Sequence, residues 1–150
     1  MFASRARLLI ATLWVGSLWT VGYLVAPTLF ATLSDRVLAG TIAGSVFRVE
    51  AWLSIVCAIG LVLLTGAKAG DNSGVRSKLV LGLVVAMLTC TLVSHFGLQP
   101  FMAALREGAA HASGVMAPDA RAQFGVLHGI SSGLYLIQSL LGVALILKLR

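Results

Sequence analysis

Acid is scarce in this chain. Five Asp and Glu residues stand among 150, and none forms the paired-carboxylate arrangement that general acid/base catalysis uses. Cysteine is scarcer still. Cys57 and Cys90 are the only two, each deep in an apolar run, and neither their number nor their spacing makes a disulfide framework or a zinc knuckle. No C-x-x-C-H haem attachment motif, phosphate-binding glycine loop, or serine or cysteine triad is present. No enzymatic activity is read from the sequence. Charged residues make up 11% of the chain against 59% hydrophobic, and the mean hydropathy is +0.99. A soluble domain carries about a quarter charged residues, so that class is excluded.

What is present is four long apolar runs, the pattern of an all-α integral membrane four-helix bundle in one domain of 150 residues. The spans are expected at about 8–30, 46–66, 78–98 and 124–147. The first begins after Arg5 and Arg7 and runs on to Leu33, beyond the length of a secretory h-region, so it reads as a retained span. Within it Thr12, Gly16, Trp19, Thr20, Tyr23 and Pro27 recur at helical spacing. Pro27 either kinks the last turns or marks where the helix leaves the membrane. Ser34 is the expected N-cap of the next helix, with Asp35 at its positive end.

Short interfacial helices are expected in the two outer loops. One is Val37–Val46, with Gly40 and Gly44, either separate or continuous with span two. The other is Phe101–Ala110, either a surface helix or a continuation of span three. Gly66–Ser77 and His111–Ala117 read as loops, and Pro118 as a first helical residue.

Charge distribution sets the expected orientation. Arg5, Arg7, Lys68, Arg76, Lys78, Lys148 and Arg150 fall on one side, against Asp71 alone; on the other, four arginines meet four acids. The positive-inside rule places both termini in the cytoplasm. The formal charge of +6 thus reports orientation rather than a nucleic-acid partner.

Two kinds of pattern mark candidate sites. Gly125, Gly129 and Gly133 form a consecutive GxxxGxxxG, and Gly82, Ala86 and Cys90 a second ladder of small residues. Both are expected to bring helices into close contact, within the chain for span four or in a homo-oligomer. The polar stripe beside the first ladder predicts that span four is the most enclosed helix. The second pattern is polar. With spans three and four antiparallel, Arg48, Glu50, His95, Gln99, Gln123 and His128 are expected in one layer near the outer surface, with Arg48 and Glu50 at the mouth of span two. That layer is either an outer-face binding pocket or a set of polar groups satisfied at the membrane boundary. His95 and His128 are the weak metal candidates and the conceivable axial ligands of a haem. Cys57, Cys90 and Met87 raise copper, although packing accounts for them equally well. No cofactor is predicted.

Val25-Ala26-Pro27-Thr28-Leu29-Phe30, Asp35–Gly40, Ile42–Gly44, Phe47-Arg48-Val49-Glu50-Ala51-Trp52 and Phe124–Ser132 together resemble a bacterial family of four-span membrane proteins. That family carries domain of unknown function 4149, which is shared with vertebrate transmembrane protein 205. The vertebrate relative's association with platinum resistance implies soft-metal handling or membrane traffic. The family brings no established catalytic residues. The expected function is a non-enzymatic accessory or assembly component working with other membrane subunits. The alternatives are small-solute or soft-metal handling through the polar layer, and a haem-binding redox subunit.

Overall fold

The computed structural model describes residues 2–66, 74–112 and 116–150. Four long helices dominate it: α1 (Ala3–Thr32), α2 (Arg36–Gly66), α3 (Val75–Ala109, helical on to Ala112) and α4 (Pro118–Leu149). No strand occurs among the described residues. Each helix is apolar enough to cross a membrane. At 1.5 Å per residue the helices run to about 45–52 Å, longer than the roughly 30 Å of hydrocarbon in a bilayer, so each has turns to spare.

The helices form an up-and-down ring in which α1 packs on α2 and α4, and α3 on the same two. Specific contacts fix the antiparallel order. Trp14 of α1 meets Ser54 of α2, Gln138 of α4 meets Thr91 of α3, and Arg76 at the start of α3 donates to the carbonyl of Lys148 at the end of α4.

The helix starts follow local chemistry. Asp35 is the residue that caps α2: its Oδ1 accepts from the backbone N–H of Val37 at 2.9 Å and of Leu38 at 3.1 Å. The expected cap, Ser34, sits one residue too early to reach the second and third N–H groups of a helix starting at Arg36. Pro118 does open α4, where its missing N–H leaves no bond unmade. α3 starts at Val75, within the expected first loop; most of that loop, residues 67–73, and residues 113–115 of the second lie outside the described residues.

Val37–Val46 is the first third of α2 itself, and Phe101–Ala110 continues α3. Nothing between Arg36 and Val46 breaks a helix, so it propagates. One consequence is a correction of position. Glu50 lies near the midpoint of the 31 residues of α2, about 24 Å from its Gly66 end by helical rise, rather than near the start of the helix.

Pro27 and Pro100 do not end their helices. Each is preceded by a single wide turn, Thr20–Val25 in α1 and Val93–Leu98 in α3. There the N–H of Ala26 reaches back to the carbonyl of Val21, and that of Gln99 to Ser94, five residues rather than four. A proline cannot donate to the carbonyl four residues earlier and its ring crowds that carbonyl. Inserting one extra residue into the turn relieves both problems without breaking the rod.

The packed core lies toward the end that holds both termini. Ala11, Trp14 and Val15 of α1, Cys57, Ala58 and Leu61 of α2, Val80, Val84 and Met87 of α3 and Leu145 of α4 form one buried cluster. Thr12, Gly16, Trp19 and Thr20 of α1 face outward. The most enclosed helix is α2, with 39% of its most apolar stretch buried against 22% for α4. This overturns the ranking drawn from the polar stripe of α4. Every buried residue of α2, from Ala39 through Glu50 and Ser54 to Thr65, falls on one continuous face at 100° per residue, and that face meets α1 and α3.

Candidate functional site

Beyond the core, toward the end opposite the termini, the four helices part around a cavity of about 650 Å³. Both wide turns border it: Gly22 and Tyr23 come from the first, Ser94 and His95 from the second. Insertions of this kind re-aim side chains and concentrate at functional positions.

The floor is polar and organised. Glu50 is 6% exposed, and its Oε1 accepts a 2.7 Å hydrogen bond from Ser54 Oγ. Ser54 in turn accepts from Trp14 Nε1 at 2.7 Å. The chain Trp14–Ser54–Glu50 thus links the packed core to the cavity and turns the carboxylate toward its own C-terminal turn. Beside it, Gln138 Nε2 donates to Thr91 Oγ1 at 2.9 Å; both residues line the cavity and both are buried.

Aromatic rings form one wall. Tyr135 stands edge-on to Phe47 at 5.5 Å and to Tyr23 at 6.1 Å between centroids, a favoured geometry for ring pairs. Its hydroxyl donates to the carbonyl of Leu18, and the Tyr23 hydroxyl donates to Ser139 Oγ at 3.0 Å. Gly22 makes this possible. A Cβ there would lie 2.7 Å from Tyr135 Cζ and 2.8 Å from its hydroxyl oxygen, so only glycine lets the ring lie against α1.

The far rim carries Arg106. Its guanidinium lies over the ring of Phe124, 5.9 Å from the centroid, within cation–π range. Its stem and head run along Gly40 and Gly44 of α2, where a Cβ would come within 3.2 Å of Cδ and 3.0 Å of Nη2 respectively. That pair of glycines admits a side chain rather than a neighbouring backbone.

Of the six residues expected in one polar layer, Glu50, His95, Gln99 and His128 line the cavity. Arg48 and Gln123 are exposed and do not. Arg48 is turned about 160° from Glu50 around the helix axis at 100° per residue. His95 packs edge-on to Phe96 and His128 stacks on Phe124. Among the described residues no three His, Cys, Asp or Glu side chains gather as metal ligands would. Cys57 is buried in the core and Cys90 half-buried, both as free thiols.

Tyr23, Thr91, Arg106, Tyr135 and Gln138 also line the cavity but were not picked from sequence. Thr91 was visible in a stripe with His95 and Gln99, and Tyr135 and Gln138 in the polar face of α4. Arg106 had no signal, because nothing local says that a loop arginine folds back over two glycines.

The glycine ladder departs from expectation. A Cβ at Gly125, Gly129, Gly133 or Gly82 would meet nothing within 4 Å. Within one chain these positions bring no helix close; they form open, outward faces. Ala86 and Cys90 are half-buried.

At the opposite end Ser4, Arg7, Arg76, Ser77, Lys148 and Arg150 surround a smaller depression. Arg7, Arg76, Lys148 and Arg150, four of the seven basic residues expected on one side of the membrane, are therefore gathered at one end of the bundle; Lys68 lies outside the described residues.

No curated protein and no solved structure matches this chain. One family profile does match, over residues 9–111, which takes in three of the four helices and most of the cavity lining. The chain belongs to the family described as Domain of unknown function (DUF4149).

Proposed function

We propose that this is a multi-pass protein of the bacterial cytoplasmic membrane, with both termini inside, that binds a small molecule in the cavity between its four helices. The observation that carries the reading is the buried Glu50 carboxylate at the floor of a cavity of about 650 Å³. That volume is in the range of small-molecule sites, roughly 300–1,000 Å³. An ionisable side chain near mid-membrane is costly and is kept where it serves a pathway or a ligand. His95, Gln99 and His128 supply further polar contacts, and apolar walls supply the rest.

The test is native mass spectrometry of the protein purified in lipid nanodiscs, with Ala43→Phe as the comparison. Ala43 is 6% exposed and lines the cavity, so a phenyl ring there fills it. The wild type is expected to carry a bound small molecule that A43F lacks, at equal helical content. Finding none with wild type, or the same species on both, refutes the reading.

The outward glycine face of α4 supports a second role, as a subunit docked on another membrane helix through Gly125, Gly129 and Gly133. Gly129→Leu is expected to release any partner retained in mild detergent; a chain that always purifies alone counts against this role.

A further inference from the structure

An acidic and a basic side chain, Glu50 and Arg106, both border the cavity. Glu50 takes its hydrogen bond from a neutral serine. Arg106 lies over the face of Phe124. Among the described residues neither is ion-paired. They are held apart by the fold. The Arg106 head reaches the level of Gly44, six residues before Glu50 and so about 9 Å away along α2. The Ser54 bond turns the carboxylate further away, toward the C-terminal end of the helix.

A buried carboxylate such as Glu50 keeps its charge where a partner of opposite sign meets it with good geometry and is otherwise neutralised by a proton; Arg106 is half-buried. A cationic ligand would meet Glu50 but be repelled by Arg106, and an anionic ligand the reverse. The rings of Phe47, Tyr135 and Phe124 also line the cavity and give it an apolar wall.

We infer that the cavity selects a zwitterion with an apolar body, its ammonium group directed to Glu50 near the middle of the membrane and its anionic group to Arg106 at the outer rim. The inference rests on the small-molecule reading above and adds the charge pattern of the ligand. The order of charges is part of it: the ammonium lies on the membrane side of the anion.

Four dodecyl probes test it, compared at equal mole fraction in nanodiscs: a sulfobetaine, which has that charge order, a trimethylammonium, a phosphate and an uncharged glucoside. The sulfobetaine is expected to bind about tenfold or more tighter than any of the others, a discrimination of the size that misplaced charge imposes. E50Q keeps an acceptor for Ser54 and should bring the phosphate level with the sulfobetaine. R106Q should do the same for the trimethylammonium. Wild-type selectivity alone decides the matter if either variant fails to fold. Equal binding of all four probes, or tightest binding of a singly charged one, overturns the zwitterion while leaving the cavity a binding site. Probes that bind A43F as well as wild type, or bind neither, sink the cavity reading itself.

Discussion

Replacing Gly22 with alanine adds one methyl group at the most confined glycine in the bundle. That methyl would fall within 3 Å of Tyr135, where ordinary contact needs about half an ångström more or greater. The ring has little freedom to retreat. Phe47 and Tyr23 stand edge-on to it, and its hydroxyl is tied to the Leu18 carbonyl one turn before Gly22. Overpacking of this kind costs about 1–3 kcal/mol, and loss of the hydroxyl bond about 1 kcal/mol more. Alanine returns up to about 1 kcal/mol through its better helix propensity. The net expectation is a loss of about 1–3 kcal/mol. Gly129→Ala is the control, since a Cβ there meets nothing; it should be neutral or gain up to about 1 kcal/mol. Reversible unfolding by detergent titration in mixed micelles reads both. If G22A unfolds at the same point as G129A, the proposed contact between α1 and Tyr135 is wrong, and with it the wall of the cavity.

Other expectations follow from single contacts. Ser54→Ala strands Trp14 Nε1 and one Glu50 oxygen; it should cost about 1–3 kcal/mol by the same unfolding assay and shift Trp14 emission. Thr91→Val removes the acceptor of Gln138, a loss of about 0.6–1.7 kcal/mol for a hydrogen bond between membrane helices. Thr65→Val goes the other way: Thr65 Oγ1 is buried without a partner among the described residues, so the apolar isostere should be neutral or stabilise by up to about 1 kcal/mol. Single cysteines at Ser4 and at Lys148, in a background lacking Cys57 and Cys90, should both be labelled only from the cytoplasmic side; labelling of either from outside reverses the proposed orientation.

Four helices and their alternating direction were legible because burial in hydrocarbon is written in long apolar runs, and because short connections force antiparallel neighbours. What was less legible depends on pairwise geometry. The glycine ladder of α4 was read as a packing face, yet a row of small residues says only that close approach is allowed, not which helix makes it. Gly40 and Gly44 follow the same spacing and admit Arg106 instead. Pro27 was expected either to kink the last turns of its helix or to mark its exit, because an interior proline removes a hydrogen bond. The structure keeps the rods whole by widening the preceding turn, a solution that depends on neighbours to hold it. Of the six polar positions four line the cavity, and His95 and His128 reach it from antiparallel helices. Arg48 was lost to helical phase, and Glu50, expected near a helix start, lies mid-helix because α2 begins ten residues before the expected span.

The cavity itself has a cause in composition. In the half near the termini, Trp14, Leu18, Leu61, Met87 and Leu145 fill the space between helices completely. In the other half many inward positions of α1 and α2 are small, Gly22, Ala26, Gly40, Ala43, Gly44 and Ala51 among them, beside the rings of Phe30 and Phe47, so the same ring of helices encloses open volume. Lipid does not drive helices together as water does; they associate by contact and hydrogen bonding. A half with few apolar contacts therefore needs polar ties to keep its shape. The bonds from Trp14 to Ser54, Tyr23 to Ser139, Tyr135 to Leu18 and Gln138 to Thr91 all join different helices, and all lie at or beside the cavity. Were the cavity only a packing defect, larger apolar residues at Ala43 or Ala51 would fill it and stabilise the bundle, and those ties would be superfluous. Their concentration around the one weakly packed region argues that the open volume is the feature the fold maintains.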